Sequence, residues 1–383
     1  MKQQYKFNLF FKKLNKREFW FIVILSGFFF KFLLLPFRSG DFNFFLNPWM
    51  DFISSNGYFS SLKYRFYNYT PPYIYILIIL AKTGINPLYS IKFISILFEY
   101  ILAFFAGKII YLKYKNPLNL WISLALIPWI PTVMANGALW GQCDSIYSSF
   151  VVAGVYFALI NKQFASCFSL GMAIAFKLQG VFILPFYFVM LLRKKINWYY
   201  FLLVPLIFVV SVLPAWLYGR PMSELLTIYV NQANNYQALT LYLPNVYTWI
   251  SNNYYESVKI AGMIVTFFIV LIGGIWLSNK KFHFSLDQWV ELAFLSVIIT
   301  PFLLPGMHER YLYLGDVLAF VYFFVLRKNI LYSVGIMSIS FYAYLCCSRL
   351  KTILPVWPAF FIYLLILILV IADFRKSIKN GTT

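Results

Sequence analysis

The sequence is short of charge, and above all of acidic residues. Only 11% of its 383 residues are charged, against roughly 25% in ordinary soluble domains. The 12 Asp and Glu are outnumbered by 32 Lys and Arg, and only two His are present. The polar stretches are too short to form a soluble domain. The four cysteines show neither the spacing of a metal site nor that of a disulfide framework. These absences exclude an ordinary water-soluble enzyme.

Apolar residues make up 62% of the chain and recur in runs of membrane-spanning length from one end to the other. Only helices and closed β-barrels satisfy their backbone groups in lipid, and a barrel would need short alternating segments that this sequence lacks. The sequence therefore predicts an all-α polytopic membrane protein, with residues 1–383 forming a single transmembrane domain.

The net charge of +20 would suggest a nucleic-acid ligand in a soluble protein. Here the basic residues lie in short clusters between apolar runs, as they do in cytoplasmic loops, so we expect membrane lipids and no nucleic acid as partners. The clusters lie at 12–17, 108–115, 162, 193–195, 280–281, 327–328 and 375–379. They place both termini, 1–18 and 374–383, in the cytoplasm. A plasma membrane, most simply the bacterial inner membrane, is the expected location.

The apolar runs and these clusters predict twelve crossings. They fall near 19–37, 88–107, 117–134, 146–161, 163–176, 180–192, 198–217, 257–277, 286–304, 312–326, 329–346 and 357–373. The run "TPPYIYILIILAKTG" at 70–84 is excluded, because counting it as a crossing would move every later basic cluster outside. It is also shorter than the ~20 residues of a span, and its prolines suit a first helical turn. We expect it to form an interfacial or re-entrant helix within a large first outer segment, 38–87.

Half of the 12 acids then lie at or beyond the outer face, so any chemistry is expected there. Asp41 follows the first span directly, and Asp51 comes ten residues later in "NPWMDF". On a helix this spacing leaves the two about 80° apart, so they need not share a site. The alternative is that both are helix caps at the interface.

A second polar group opens a span at its outer end. The stretch "NGALWGQCDSIYSSF" contains Trp140, Gln142 and Asp144. This set suits a sugar, because aromatic faces stack on C–H faces while amides and carboxylates bind hydroxyls. Asp144 would also serve simply as a helix N-cap.

Two further groups of polar residues lie between apolar runs. Lys177 and Gln179 interrupt one run, and an ammonium at membrane depth marks a functional partner unless its stem reaches the interface. The contiguous His308, Glu309 and Arg310 supply a titratable imidazole, an acid and a fork-shaped phosphate binder. The alternative is a structural salt-bridged turn. The order His-Glu-Arg-Tyr is not a zinc motif, which would need helical spacing.

The second outer segment, 218–256, has an unusual composition. It holds six Asn and seven Tyr between Tyr218 and Tyr255. Such a surface suits carbohydrate, although a loop resting on lipid headgroups would also favour Tyr and Trp. The composition leaves both readings open.

Together these motifs resemble the GT-C superfamily of integral-membrane glycosyltransferases. The resemblance rests on an Asp just after span one, "YTPPYIYIL", "ALWGQCDSIYSSF", "FKLQGVFILP" and "PFLLPGMHERYLYLGDVL", in that order on one membrane side. The likeness is greatest to bacterial relatives of the PIG-V/Gpi18-type mannosyltransferases. It covers nearly the whole chain. It implies a GT-C-like helical bundle and transfer of a hexose, with mannose expected, from a polyprenyl-phosphate donor on the outer side, with inversion.

The resemblance also implies roles for particular residues. Asp41 matches the catalytic Asp of the first loop, the general base on the acceptor hydroxyl. Asp51 matches a companion position, and Asp144 lies where the family places a second polar cluster. The remaining matches are cations expected to hold the phosphate: Lys177, His308 and Arg310. The first loop lacks the adjacent acidic pair of metal-dependent branches, so no cofactor is expected and a divalent metal is not indicated.

Two other functions share this topology. A polysaccharide polymerase of the O-antigen type also has about twelve spans, but it typically carries Arg-rich outer loops, and few Arg are present here. A lipid-linked sugar transporter or flippase usually shows internal repeats and charges at the membrane midplane. We find no repeat in the sequence. The expected partners are therefore the lipid-linked sugar donor and an extracytoplasmic glycan, lipid or protein acceptor.

Overall fold

The computed structural model describes residues 17–233, 236–348 and 355–380. Nearly all the regular secondary structure in these ranges is helical. The one departure from an all-α fold there is a pair of strands of two residues each. Most of the expected cytoplasmic N-terminus, 1–16, and the end of the expected tail, 381–383, lie outside the described residues. So do two Asn of the second outer segment, at 234 and 235.

Seventeen α-helices follow one another in the described ranges. They are α1 (Arg17–Leu34), α2 (Asn47–Ser55), α3 (Pro71–Lys82), α4 (Pro87–Tyr114), α5 (Leu118–Leu126), α6 (Pro131–Met134), α7 (Asp144–Leu159), α8 (Gln163–Phe176), α9 (Leu184–Leu192), α10 (Leu203–Leu217), α11 (Met222–Leu226), α12 (Ile228–Ala233), α13 (Tyr255–Leu277), α14 (Leu286–Leu303), α15 (Tyr313–Leu326), α16 (Ile330–Cys347) and α17 (Trp357–Asn380). The strands are β1 (Thr240–Leu241) and β2 (Met307–His308), which pair in parallel.

Several of these helices are long and apolar enough to cross a membrane. Six pass by length and composition within the described residues, and a seventh is obtained if the bent pair Leu118–Trp129 and Pro131–Leu139 is one span. The chain is therefore a helical membrane protein. A helix or a broken helix lies at each of the twelve predicted crossings, but several, such as α7 and α8, are shorter than a full span.

Two of the helices break at proline or polar residues. Residues 127–139 pass through a 3₁₀ turn, a short helix and a π-helical turn, with a 65° bend where Pro128 and Pro131 interrupt the backbone bonding. The chain then turns at Gly141, whose φ of +68° favours glycine. A second break follows α8, where Lys177 is extended before a 3₁₀ turn, Leu178–Ile183, leads into α9. Irregular backbone at membrane depth is tolerated where it lines a cavity.

The first outer segment folds into its own small core. A π-helical turn at Phe42–Leu46 continues into α2, and a 3₁₀ helix at Tyr58–Lys63 leads towards α3. Their buried side chains pack with parts of α10 and α12. With 12 residues, α3 is about 18 Å long, less than the ~30 Å of a bilayer core.

A buried ion pair joins the first helix to the bundle. Lys31 Nζ of α1 lies 2.5 Å from Glu99 Oε2 of α4, and both side chains are inaccessible to solvent. Neither charge would be tolerated alone in this apolar setting. The pair therefore fixes how α1 packs on α4 just before the chain enters the first outer segment.

Candidate functional site

A half-open cavity of about 420 Å³ lies where the two outer segments meet the two broken helices. Seven residues singled out from the sequence line it: Asp41, Gln142, Lys177, Gln179, His308, Glu309 and Arg310. They come from four separate stretches of the chain. The fold therefore gathers the polar motifs into one place, although nothing in their sequence spacing requires it.

Arg310 lies at the centre of the charged side chains in this cavity. Its Nη1 is 3.3 Å from Asp41 Oδ2 and 3.1 Å from Glu309 Oε1. Its Nε is 3.8 Å from Asp144 Oδ2. Its Nη2 makes no hydrogen bond to any residue that the structure describes. One guanidinium thus links three carboxylates and keeps one nitrogen available to a ligand.

Beneath Arg310 lies a fully buried ion pair. Lys177 donates to Asp144 Oδ1, and the side chains are 4% and 0% exposed. Asp144 Oδ2 accepts from Asn136 Nδ2 at 2.8 Å, and the same amide donates to the Tyr344 hydroxyl at 2.9 Å. The alternative that Asp144 is an N-cap is therefore wrong: Cys143 is the N-cap of α7, and Asp144, its first residue, bonds to side chains on other elements.

Asp41 occupies the wall of the cavity next to open space. Its side chain is 34% exposed, and its Oδ2 accepts from both Gln142 Nε2 and Arg310. The Tyr69 hydroxyl donates to the other end of Gln142, at 3.3 Å. No residue in the described ranges bonds to Oδ1. The carboxylate is therefore fixed through one oxygen and free at the other.

His308 and Glu309 complete the charged wall. His308 Nδ1 is 3.8 Å from Glu309 Oε2, and the imidazole packs against the rings of Tyr236 and Tyr311. Burial alone would raise the pKa of Glu309. The nearby His308 and the charge of Arg310 outweigh it and lower that pKa to about 2. Glu309 therefore keeps its negative charge throughout the physiological pH range.

The second outer segment is joined to the turn that carries His308 by a short parallel strand pairing. Strand β1 aligns Thr240 with Met307 and Leu241 with His308, and Gly306 N donates to Leu239 O at 2.7 Å. This pairing brings the Tyr-rich second outer segment over the His308 turn. Sequence reasoning expected no strand here, because two residues give no alternating pattern to detect.

Three residues singled out from the sequence do not line the cavity. Asp51 lies exposed on α2, away from the cavity, where it accepts a hydrogen bond from Asn47. Trp140 stacks on Tyr344 with the ring centroids 4.7 Å apart, so its face is already covered. Asp144 is buried behind Lys177 and Arg310. Asp51 and Trp140 therefore lie outside the cavity wall, and Asp144 lies behind two residues that line it.

Sequence reasoning missed a ring of aromatic and polar side chains around the same cavity. Its members are Tyr69, Tyr229, Gln232, Tyr236, Tyr242, Lys259 and Tyr311. The richness of 218–256 in Tyr was the signal, but it could not distinguish a ligand wall from a headgroup contact. The structure turns four of these side chains from that segment, three of them Tyr, towards the cavity: Tyr229, Gln232, Tyr236 and Tyr242.

A scaffold outside the cavity positions two of its residues. Lys92 Nζ donates to the carbonyls of Leu35 at 2.9 Å and Phe37 at 2.6 Å, which follow α1 just before Asp41. It also donates to the carbonyl of Leu34, the last residue of α1, at 3.4 Å. The stem of Lys92 passes under Gly141, next to Gln142. A lysine bonding the last carbonyls of a helix also complements its dipole. Lys92 therefore ties together the two stretches that carry Asp41 and Gln142.

The carboxylates of the site face cations instead of one another. Within the described ranges, no three His, Cys, Asp or Glu side chains come together as metal ligands would. Comparison with known proteins gives no family model that matches the chain, and no curated protein matches it significantly. The function must therefore be argued from the site.

Proposed function

We propose that the protein is a GT-C-type glycosyltransferase, which moves a hexose, with mannose expected, from a polyprenyl-phosphate donor to an extracytoplasmic acceptor with inversion. One observation carries this proposal. Asp41, a partly exposed carboxylate with one oxygen free, shares a half-open cavity with Arg310, Lys177 and His308. A base next to a set of cations is the equipment that such a transfer needs.

The reaction assigns one role to each side of the cavity. Asp41 Oδ1 takes the proton from the acceptor hydroxyl as its oxygen attacks the anomeric carbon. The bond from that carbon to the phosphate oxygen breaks, and its electron pair leaves with the polyprenyl phosphate. Attack from the face opposite the leaving group inverts the anomeric centre. Because the phosphate is a good leaving group once its charge is met, no general acid is required.

The free nitrogen atoms of the cations would receive the phosphate. Arg310 keeps Nη2 available while its other nitrogens face carboxylates, and His308 lines the same wall. Lys177 already donates to Asp144, so its positive charge is largely neutralised by that buried carboxylate. Arg310 is therefore the main contact of the departing phosphate, and Lys177 supports it from behind.

The aromatic ring around the cavity suits the sugar. Tyr69, Tyr236, Tyr242 and Tyr311 offer ring faces and hydroxyls, and Gln179 and Gln232 offer amides. Such a lining fits a hexose better than it fits an ion or a wholly apolar lipid. It favours the transferase over a polysaccharide polymerase with an Arg-rich site, because Arg310 is the single arginine among the described residues that line the cavity.

The proposed topology has twelve crossings, with both termini in the cytoplasm of a bacterial cell and the site outside. Its support is the distribution of basic residues and the helices found at each predicted crossing. Short helices around the site are expected in this arrangement, because broken helices line the cavity at membrane depth. The first outer segment, 38–87, carries Asp41 and the short helix α3.

The test replaces Asp41 by Asn in purified protein reconstituted into liposomes. The donor is undecaprenyl-phosphate mannose labelled in the sugar, and the acceptor is a membrane extract of the source organism. We expect Asp41→Asn to lower transfer at least about 100-fold, the usual contribution of a general base. Asp51→Asn is the matched control, since it removes an acid from the same segment outside the cavity, and it should keep near-normal activity.

Two results would contradict the proposal. One is folded Asp41→Asn protein that transfers sugar at the wild-type rate. The other is a wild-type protein that moves labelled lipid across the bilayer and never transfers sugar, which would identify a transporter.

A further inference from the structure

A second cavity lies on the side of the bundle and shares no lining residue with the first. It has a volume of about 470 Å³ and lies between α9, α13, α14 and α17. Nearly all its lining is apolar, with Val189, Val270, Leu295 and Ile299 among the residues, and one cation, Arg375, lies on its rim. We call it the lateral groove. Its volume is in the range of ordinary ligand sites.

The lateral groove exists because α13 carries two adjacent glycines at this level. A Cβ on Gly274 would collide with the ring of Phe188, so this glycine lets α13 approach α9. A Cβ on Gly273 would meet nothing within 4 Å. Close contact at one glycine and open space at its neighbour leave a slot along the helix, and no side chain of the described residues fills it.

Positive charge surrounds one end of the groove, where α13 ends and α14 begins. Arg375 lines that end, and Lys280, Lys281 and Lys376 are exposed close to it in the chain. None of these four forms an ion pair with a described residue.

The acids at this end of the bundle are already bound to other groups. Asp287 lies 2.6 Å from Lys113, and Glu291 lies 3.2 Å from Lys328. Asp373, close to Arg375 in the chain, accepts a hydrogen bond from the Tyr332 hydroxyl at 3.0 Å. None of these three acids pairs with the cations at the end of the groove, so that positive charge is available to an anion from outside the described protein.

We propose that the lateral groove binds one anionic phospholipid, with an acyl chain against Gly273 and the headgroup phosphate at Arg375. Basic residues at the ends of membrane helices recognise anionic headgroups, and apolar slots between helices take acyl chains. Trp276, also in the lining, has the amphipathic ring expected at headgroup level. By the predicted topology this lipid belongs to the cytoplasmic leaflet. The site is separate from the proposed sugar-transfer site.

The test counts lipids bound to the purified protein by native mass spectrometry. The probes are phosphatidylglycerol and phosphatidylcholine with identical acyl chains. We expect wild type to retain one phosphatidylglycerol in preference to phosphatidylcholine. Gly273→Leu should abolish that bound lipid, because the new side chain fills the open slot, and leucine is a better helix former than glycine.

A charge variant tests the headgroup contact separately. Arg375→Gln should lower the ratio of bound phosphatidylglycerol to phosphatidylcholine about fivefold, the usual effect of one cation near an anionic surface. The matched controls are Ile272→Leu, which changes an exposed neighbour on α13, and Lys63→Gln, which removes an exposed lysine of the first outer segment, away from the groove. Both should bind lipid as wild type does, and thermal unfolding verifies that all four variants are folded.

Three outcomes overturn the inference. Equal retention of the two phospholipids by wild type would mean that the groove takes any acyl chain. Wild-type binding by Gly273→Leu would place the lipid elsewhere. Retention of added undecaprenyl phosphate, lost in Gly273→Leu while phosphatidylglycerol is unaffected, would assign the groove to the tail of a lipid-linked sugar.

Discussion

The single residues of the site differ in how they use their charge. Asp41 is held through one oxygen by Gln142 and Arg310, so its other oxygen points into open space in a fixed direction. Asp144 is fully buried, and its carboxylate accepts hydrogen bonds from Lys177 and Asn136. The sequence was enough to mark both aspartates as candidates, because acidic residues next to apolar runs are rare in this chain. Only the contacts separate the carboxylate that lines the cavity from the one that is buried behind it.

The pair of Lys177 and Asp144 leads to a prediction about stability. Breaking a buried ion pair leaves a desolvated charge, so Lys177→Met should destabilise the protein by about 3–5 kcal/mol. The double variant Lys177→Met/Asp144→Asn removes both charges and should recover most of that loss. Transfer activity should stay low in both variants, because Arg310 then lacks its support. Equilibrium unfolding in mixed micelles and the mannose-transfer assay measure the two effects.

The conservative Lys177→Arg variant serves as the control for that experiment. It keeps the positive charge, so its stability should lie nearer wild type than that of Lys177→Met. If the double variant were no more stable than Lys177→Met, the pair would not be the source of the instability.

At the scale of elements, the site depends on where helices stop. α1 ends at Leu34, α8 ends at Phe176, and the bent pair α5–α6 ends in a π-helical turn before Gly141. Prolines and a polar residue in an apolar run are visible in the sequence, so interruptions near these positions were predictable. The orientation of the broken ends was not, because it depends on contacts such as those of Lys92 with the carbonyls at the end of α1.

Lys92 is therefore predicted to be a positioning residue. Lys92→Met keeps the length of the stem under Gly141 and removes the ammonium that caps α1. We expect kcat for mannose transfer to fall by up to about 100-fold, since small displacements of a catalytic group have such effects. KM for the donor should change little, because Arg310 is untouched. Lys92→Arg should restore part of the rate.

A readout independent of activity keeps this prediction separate from the proposed function. In a protein with its native cysteines replaced by serine, Cys introduced at Asp41 and Gln142 should cross-link under oxidation. Lys92→Met should slow that cross-linking. Lys82→Met, which removes an exposed lysine of the first outer segment, where Asp41 also lies, should not. Unchanged cross-linking in Lys92→Met would show that Lys92 does not set the distance between the two stretches.

At the scale of the whole molecule, orientation across the membrane is the open prediction. The basic clusters place the end of α3 outside and the end of α4 inside. With 28 residues, α4 is about 42 Å long and can cross the bilayer. Reporter fusions after Ile85 and Leu112 check this. We expect the first to be active as an extracytoplasmic reporter and the second as a cytoplasmic one. A cytoplasmic position 85 with an external position 112 would reverse the topology.

Hydrophobic composition, period and charge determined much of this protein by themselves. Long apolar runs in a chain with 11% charge leave helices in a membrane as the solution, since the backbone must bond internally there. Asp41, Lys177 and the turn His308–Arg310 could be singled out from the sequence, because polar residues in or next to those runs are rare. Each of these signals is local, and each acts through the cost of placing a charge or a free backbone group in lipid.

The tertiary structure alone decided which of these residues meet. Asp41 and Arg310 are 269 positions apart in the chain, and no local pattern encodes their distance of 3.3 Å. It depends on the packing of broken helices, on the β1–β2 pairing and on the cap that Lys92 provides. The same packing leaves Asp51 outside the site, covers Trp140 with Tyr344 and opens the lateral groove at Gly273, because burial is a property of the assembled bundle.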